Sequence, residues 1–239
     1  MSIIDLNKQE KNKILNAIFF PSLFVLVISV VHALQYFLNY NWFHYGIYPL
    51  RVENLSGIIL SVFIHGDFNH LFNNAIPLLI LGTSLFYFYK EVALKVIVWI
   101  ILMGGVWTWI SAREAYHTGA SGLIYGLFAF LMISGFIRRN TQLISLSFFV
   151  VLVYGSMVWG IFPIKLNISF EAHFWGFISG IVLAVYYRKQ GPQKVVYEWP
   201  EEEGENEENA YWKINQPPKQ SKREINYIFK PKEDVEEKS

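Results

Sequence analysis

The amino-acid sequence predicts an all-α, polytopic membrane protein, and three observations carry that reading. Of its 239 residues 53% are hydrophobic and only 16% charged, with a positive mean hydropathy, a balance outside the ordinary soluble range. Six stretches approach the ~20 apolar residues that a helix needs to cross hydrocarbon; they lie near 17–38, 69–89, 92–110, 119–137, 142–162 and 168–187. The charges gather outside them: 10 Lys/Arg and 12 Asp/Glu stand from Arg188 onward, more than in everything before. A net charge of +1 gives no global attraction to nucleic acid, and the absence of cysteine excludes disulfides, thiolate nucleophiles and cysteine-ligated metal.

Taken in order, residues 1–16 form a short cytoplasmic segment whose lysines lead into an apolar run without a small-residue cleavage site, so the first span is retained. The long connection from Asn39 to Asp67 is too mixed for a turn, and its apolar piece, Ile58 to Ile64, is too short for a span. It is expected to lie half-embedded at the interface, where Trp42, Tyr45 and Tyr48 suit an aromatic belt. Lys8, Lys11 and Lys13, then Lys90, Arg138 with Arg139, and Arg188 with Lys189 all fall on one side of a six-span arrangement. Both termini are therefore expected in the cytoplasm, with the "SAREAYH" and "PIKLN" connections facing outward. The span core covers 17–187, and the charged tail, 188–239, is expected to be disordered apart from a docked element weighed at Ala210–Ile214.

Polar residues inside such a chain carry the functional reading. Ser121, in "HTGASGLIYG", opens the fourth span, so its amide is among the unpaired donors of a helix N-terminus and suits an oxyanion. The competing reading of Gly119, Gly122 and their neighbours is a small-residue packing surface. His70 and Asn74 are four apart, on one face at the start of the second span. A metal site is the alternative there, but the H-E-x-x-H pattern is missing, and His65 reads as a loop hydrogen-bonding residue. His173, Gly176 and Gly180 share a face of the sixth span. Gly122 and Gly126 offer the fourth span a matching close approach, which would bring Ser121 within reach of His173 as an activated nucleophile.

"GASG" with Tyr125 four residues beyond the serine, "H-x4-H-x3-N" entering the second span and "AHFWGFISG" in the sixth resemble the rhomboid intramembrane serine proteases over roughly residues 40 to 187. The resemblance implies a six-helix rhomboid-like bundle in the cell (inner) membrane, its site opening outward. Ser121 is then the nucleophile and His173 the general base; His70, Asn74 and the Ser121 amide form the oxyanion hole, and Tyr125 stacks on His173 and holds its ring. His65 supports the loop and, with Asn69, Asn73 and "SAREAYH", lines a wet entrance. The fifth span, with Trp159 and Phe162, is the side gate, and "PIKLNIS" the cap. Substrates are transmembrane helices of proteins in the same bilayer, with no cofactor, metal or nucleic acid involved and the oligomeric state open. The first loop departs from the family's frequent Trp-Arg pair, reading Leu55-Ser56-Gly57, with Arg51 the nearest substitute. A catalytically inactive, client-binding relative is the alternative; a transporter is disfavoured because the polar residues cluster on the outer side and no internal repeat is visible.

Overall fold

Predominantly apolar runs wind into seven α-helices among the described residues: α1 (Ile3–Phe37), α2 (Gly57–Leu60), α3 (Phe68–Phe88), α4 (Ala93–Ser111), α5 (Ser121–Arg138), α6 (Thr141–Tyr154) and α7 (Phe170–Tyr186). The computed structural model describes residues 3–164 and 168–193. Lys165, Leu166 and Asn167 of the expected cap, and the tail from residue 194 with its element at Ala210–Ile214, lie outside the described residues. Five helical stretches are long and apolar enough to cross a membrane; α7, at 17 residues, is the shorter sixth member of the bundle.

Helix α5 is the axis. It packs against α3, α4, α6 and α7, and 67% of its apolar stretch is buried inside the bundle, against 17% for α1. The outer helices instead turn large apolar side chains outward, among them Phe19, Leu26, Phe72 and Leu152, as a lipid-facing surface requires. Local signals set the helix starts: the Asp67 carboxylate accepts the His70 amide (2.7 Å) at the head of α3, and Asn140 accepts the Leu143 amide (3.2 Å) at the head of α6. At the opposite end, buried Arg138 donates to the Tyr187 carbonyl (2.7 Å) and the Gln190 carbonyl (3.0 Å), capping the end of α7.

Two elements differ from the sequence expectation. Helix α1 begins at Ile3, well ahead of residue 17, so Lys8, Lys11 and Lys13 ride on the helix itself. The fifth span is not one α-helix: α6 stops at Tyr154 and a 3₁₀ segment, Gly155–Ile161, completes it. So long a 3₁₀ run is uncommon, because its hydrogen bonds are poorer than those of the α-helix; here two of its carbonyls bond to α5 and α7 instead.

The first loop is anchored by backbone, which answers the question raised by its missing Trp-Arg pair. Ile47 and His117 exchange both backbone bonds (3.0 and 2.8 Å), and the Leu50 amide donates to the Trp109 carbonyl (3.0 Å). The Trp109 indole returns a bond to the Arg51 carbonyl (3.1 Å), while the Arg51 guanidinium lies over the Tyr48 ring at 4.1 Å. Gly105 lets this loop approach α4 closely: a side chain there would meet Ile58.

Candidate active site

The turn that delivers Ser121 needs glycine. Gly119 has φ of +108°, and its amide donates to the Ser61 carbonyl (2.8 Å). The Ala120 amide donates to His65 Nε2 (3.4 Å), so two successive bonds hang the start of α5 on the first loop. His65 is held in turn from α1, where His32 Nδ1 and Gln35 Nε2 each lie 3.1 Å from its carbonyl oxygen. It is fully buried, and burial, followed by the neighbouring His70, holds its imidazole at about 4. His65 therefore does not line a water entrance as expected; its Nε2 accepts from the turn that it braces.

Across the bundle, Ser121 Oγ lies 2.7 Å from His173 Nε2. His173 Nδ1 lies 2.9 Å from the Gly160 carbonyl oxygen. A carbonyl only accepts, so the neutral ring carries its proton on Nδ1 and turns the Nε2 lone pair to the serine hydroxyl. The Tyr125 ring stacks on the imidazole with centroids 4.2 Å apart and planes 9° from parallel. Its hydroxyl donates to the Met157 carbonyl (2.7 Å). The two carbonyls that position the tyrosine and the histidine both belong to the 3₁₀ segment after α6. Gly160 has no room for a side chain, since a Cβ there would strike the Tyr125 hydroxyl.

The glycines named from the sequence come together at the contact of α5 with α7. A Cβ at Gly176 would run into the Gly122 carbonyl, and one at Gly180 into the Gly126 carbonyl. Backbone thus rests on backbone, and this approach brings Ser121 and His173 into contact.

His70 and Asn74 converge on the same turn from α3. A Cβ on Gly119 would sit 2.6 Å from His70 Nε2 and 3.6 Å from Asn74 Nδ2. Asn74 is buried, and its Nδ2 has no hydrogen-bond partner. His70 Nδ1 accepts the Gly66 amide in a long bond of 3.5 Å, which leaves the ring proton on Nε2, facing Gly119. Beside them lie the amides of the first turn of α5, which have no intrahelical acceptor. Chemically, donors placed so can take an anion, and a hydroxyl bonded to a neutral imidazole can lose its proton to it.

A second cluster at the same end escaped the sequence reading. Arg113 Nε pairs with Glu171 Oε1 (3.6 Å), and Arg113 Nη2 donates to the Ile168 carbonyl (2.7 Å). His117 Nδ1 lies 2.6 Å from Ser169 Oγ, and its Nε2 lies 3.1 Å from the Arg113 carbonyl. The loop before Ser121 is thereby tied to the residues before His173. His117 is buried, so it lines no entrance either, and burial lowers its pKa. An acid two residues before His173 was a visible signal for this tie. The Gly160 carbonyl had none, because every residue carries one.

A family model for the rhomboid domain matches residues 52–190, more than half of the chain. Uncharacterized proteins of Mycobacterium tuberculosis and Mycobacterium bovis are each 34% identical to it over 160 residues, covering 62% of this chain and 65% of the relative. A third uncharacterized protein, from Mycobacterium leprae, is 31% identical over 183 residues, covering 72% of this chain and 70% of its own. The chain thus spans a little under two thirds of the length of the first two relatives. With this match over an all-helical, multi-pass membrane bundle, the chain belongs to the rhomboid family.

Proposed function

We propose that this protein is an intramembrane serine endopeptidase that cleaves transmembrane helices of other membrane proteins near their outer ends. The observation that carries the reading is the Ser121–His173 contact of 2.7 Å, with the far ring nitrogen at 2.9 Å from the Gly160 carbonyl. Ser121 Oγ attacks the scissile carbonyl carbon while its proton passes to His173 Nε2. The imidazolium so formed keeps its Nδ1–H on the Gly160 carbonyl, which stabilises it as a carboxylate does in a triad. The tetrahedral oxyanion takes hydrogen bonds from the Ser121 amide, His70 Nε2 and Asn74 Nδ2. Collapse breaks the C–N bond, the Nε2 proton leaves with the amine, and water then attacks the acyl-serine with His173 again as base.

In this reading the dyad end faces outward in the cell membrane and both termini are cytoplasmic. Lys13, Lys90, Arg138 and Arg188 support it by standing at the opposite end of α1, α3, α5 and α7. The 3₁₀ segment that carries Trp159 would have two tasks, admitting the substrate and holding the base. A fluorophosphonate probe on the full chain in detergent tests the chemistry: covalent labelling is expected at Ser121 and is lost in Ser121→Ala and in His173→Ala. An unlabelled folded wild type would instead favour an inactive, client-binding role.

A further inference from the structure

The end of the bundle opposite the dyad carries a hollow of about 620 Å³ between α1 and the junction of α3 with α4. Lys13 and Lys90 are the charged groups lining it among the described residues, with Asn12 and Asn16 beside them. Lys13 Nζ is held 4.1 Å over the Tyr87 ring, whose hydroxyl donates to Glu10 (2.8 Å). Glu10 and Glu91 line an adjoining hollow that also touches both lysines, so the carboxylates border the site without lining it. The lower wall is apolar: Phe20, Phe86 and Leu94 also line a second hollow of about 230 Å³ that runs past Pro21 and Gly82 to Ile97 and Leu123. The two form one trough with a cationic mouth and a hydrocarbon floor.

We propose that this trough binds one phospholipid with an anionic headgroup, the phosphate held between Lys13 and Lys90 and an acyl chain lying along Phe20, Phe86 and Leu94. Charge and polarity change along the trough in the order of such a lipid, and the paired cations select against a headgroup that carries its own positive charge. Leu123, two residues beyond Ser121 on α5, lines the inner end of the groove.

The test uses the full chain in uncharged detergent micelles, with bound lipid counted by native mass spectrometry. Phosphatidylglycerol, phosphatidylcholine of the same chains, and inorganic phosphate are the probes. One phosphatidylglycerol is expected to stay bound in preference to phosphatidylcholine. Lys13→Gln with Lys90→Gln should weaken it about 30-fold, roughly fivefold for each lysine, while Lys13→Arg with Lys90→Arg keeps it. Leu94→Trp, which fills the floor, should weaken both lipids. Equal retention of the two lipids, retention unchanged in the double glutamine variant, or competition by phosphate alone at the same concentration would overturn the proposal.

Discussion

Among the described residues two Ser–His pairs stand at one end of the bundle, and they are nearly twins. Ser121 meets His173 at 2.7 Å and Ser169 meets His117 at 2.6 Å. Each imidazole has its other nitrogen against a backbone carbonyl, Gly160 at 2.9 Å and Arg113 at 3.1 Å, so each ring offers a lone pair to its serine. The difference lies in what surrounds the hydroxyl. Around Ser121 stand donors with nothing to bond, Asn74 Nδ2 above all, and the open first turn of α5. Around Ser169 stand Arg113 and Glu171, paired with each other, with Arg113 also donating to the Ile168 carbonyl. A serine bonded to a histidine is thus an ordinary hydrogen bond until unspent donors are aimed at the place where negative charge would form. The second pair supports the first, since the Ser169 carbonyl accepts the His173 amide (3.2 Å).

The sharpest way to break this contrast is to exchange the serines for alanine one at a time. Ser121→Ala should lower peptide cleavage by at least about 10⁴-fold, whereas Ser169→Ala should leave it within about threefold, the worth of one ordinary hydrogen bond. Comparable losses from both would erase the distinction. Next in size, Asn74→Ala should reduce kcat by about 10²–10³ with little change in KM, as expected for a donor used only in the transition state. A change confined to KM would mean that Asn74 binds the ground state.

Acid should act on the supports of both pairs. His65 titrates at about 4 in the folded chain against an ordinary 6.5, and His117 is lowered too, in each case first by burial. The unfolded chain therefore takes up these protons first. The stabilisation is complete above the unfolded value of about 6.5 and is lost as pH falls toward 4, by about 3 kcal/mol at most for His65. Thermal unfolding followed from pH 7.5 down to 4.5 should show the decline, and His65→Gln should flatten it. Smallest of all, Glu171→Gln should cost about 1–2 kcal/mol of stability, because Arg113 remains partly solvated when its partner loses charge. A comparable loss in Ser169→Ala, with additivity failing in the double variant, would show that the tie works as a unit.

Much of this could be read without coordinates. Hydropathy placed the six spans, though not the early start of α1 or the early end of α6, since a chain in lipid must satisfy its backbone internally. The small residues of "GASG" and "HFWGFISG" marked where two helices meet closely, and the cost of a buried imidazole marked His173. Burial was less legible: His65 and His117 looked suited to a wet entrance, yet both are enclosed, because polarity does not reveal which way a loop folds. Nothing in the sequence around His32 of α1 marks it as the brace of the His65 carbonyl.

The sequence by itself determined that this is a helical membrane chain and singled out the polar side chains proposed to carry chemistry, because side-chain type and periodicity act locally. Only the tertiary structure decided that Ser169 faces His117, that α6 gives way to a 3₁₀ segment, and that the Gly160 and Met157 carbonyls hold His173 and Tyr125. The physical reason is that backbone acceptors are identical at every position. Their roles are assigned by where the chain brings them, and that is a property of the whole packed bundle.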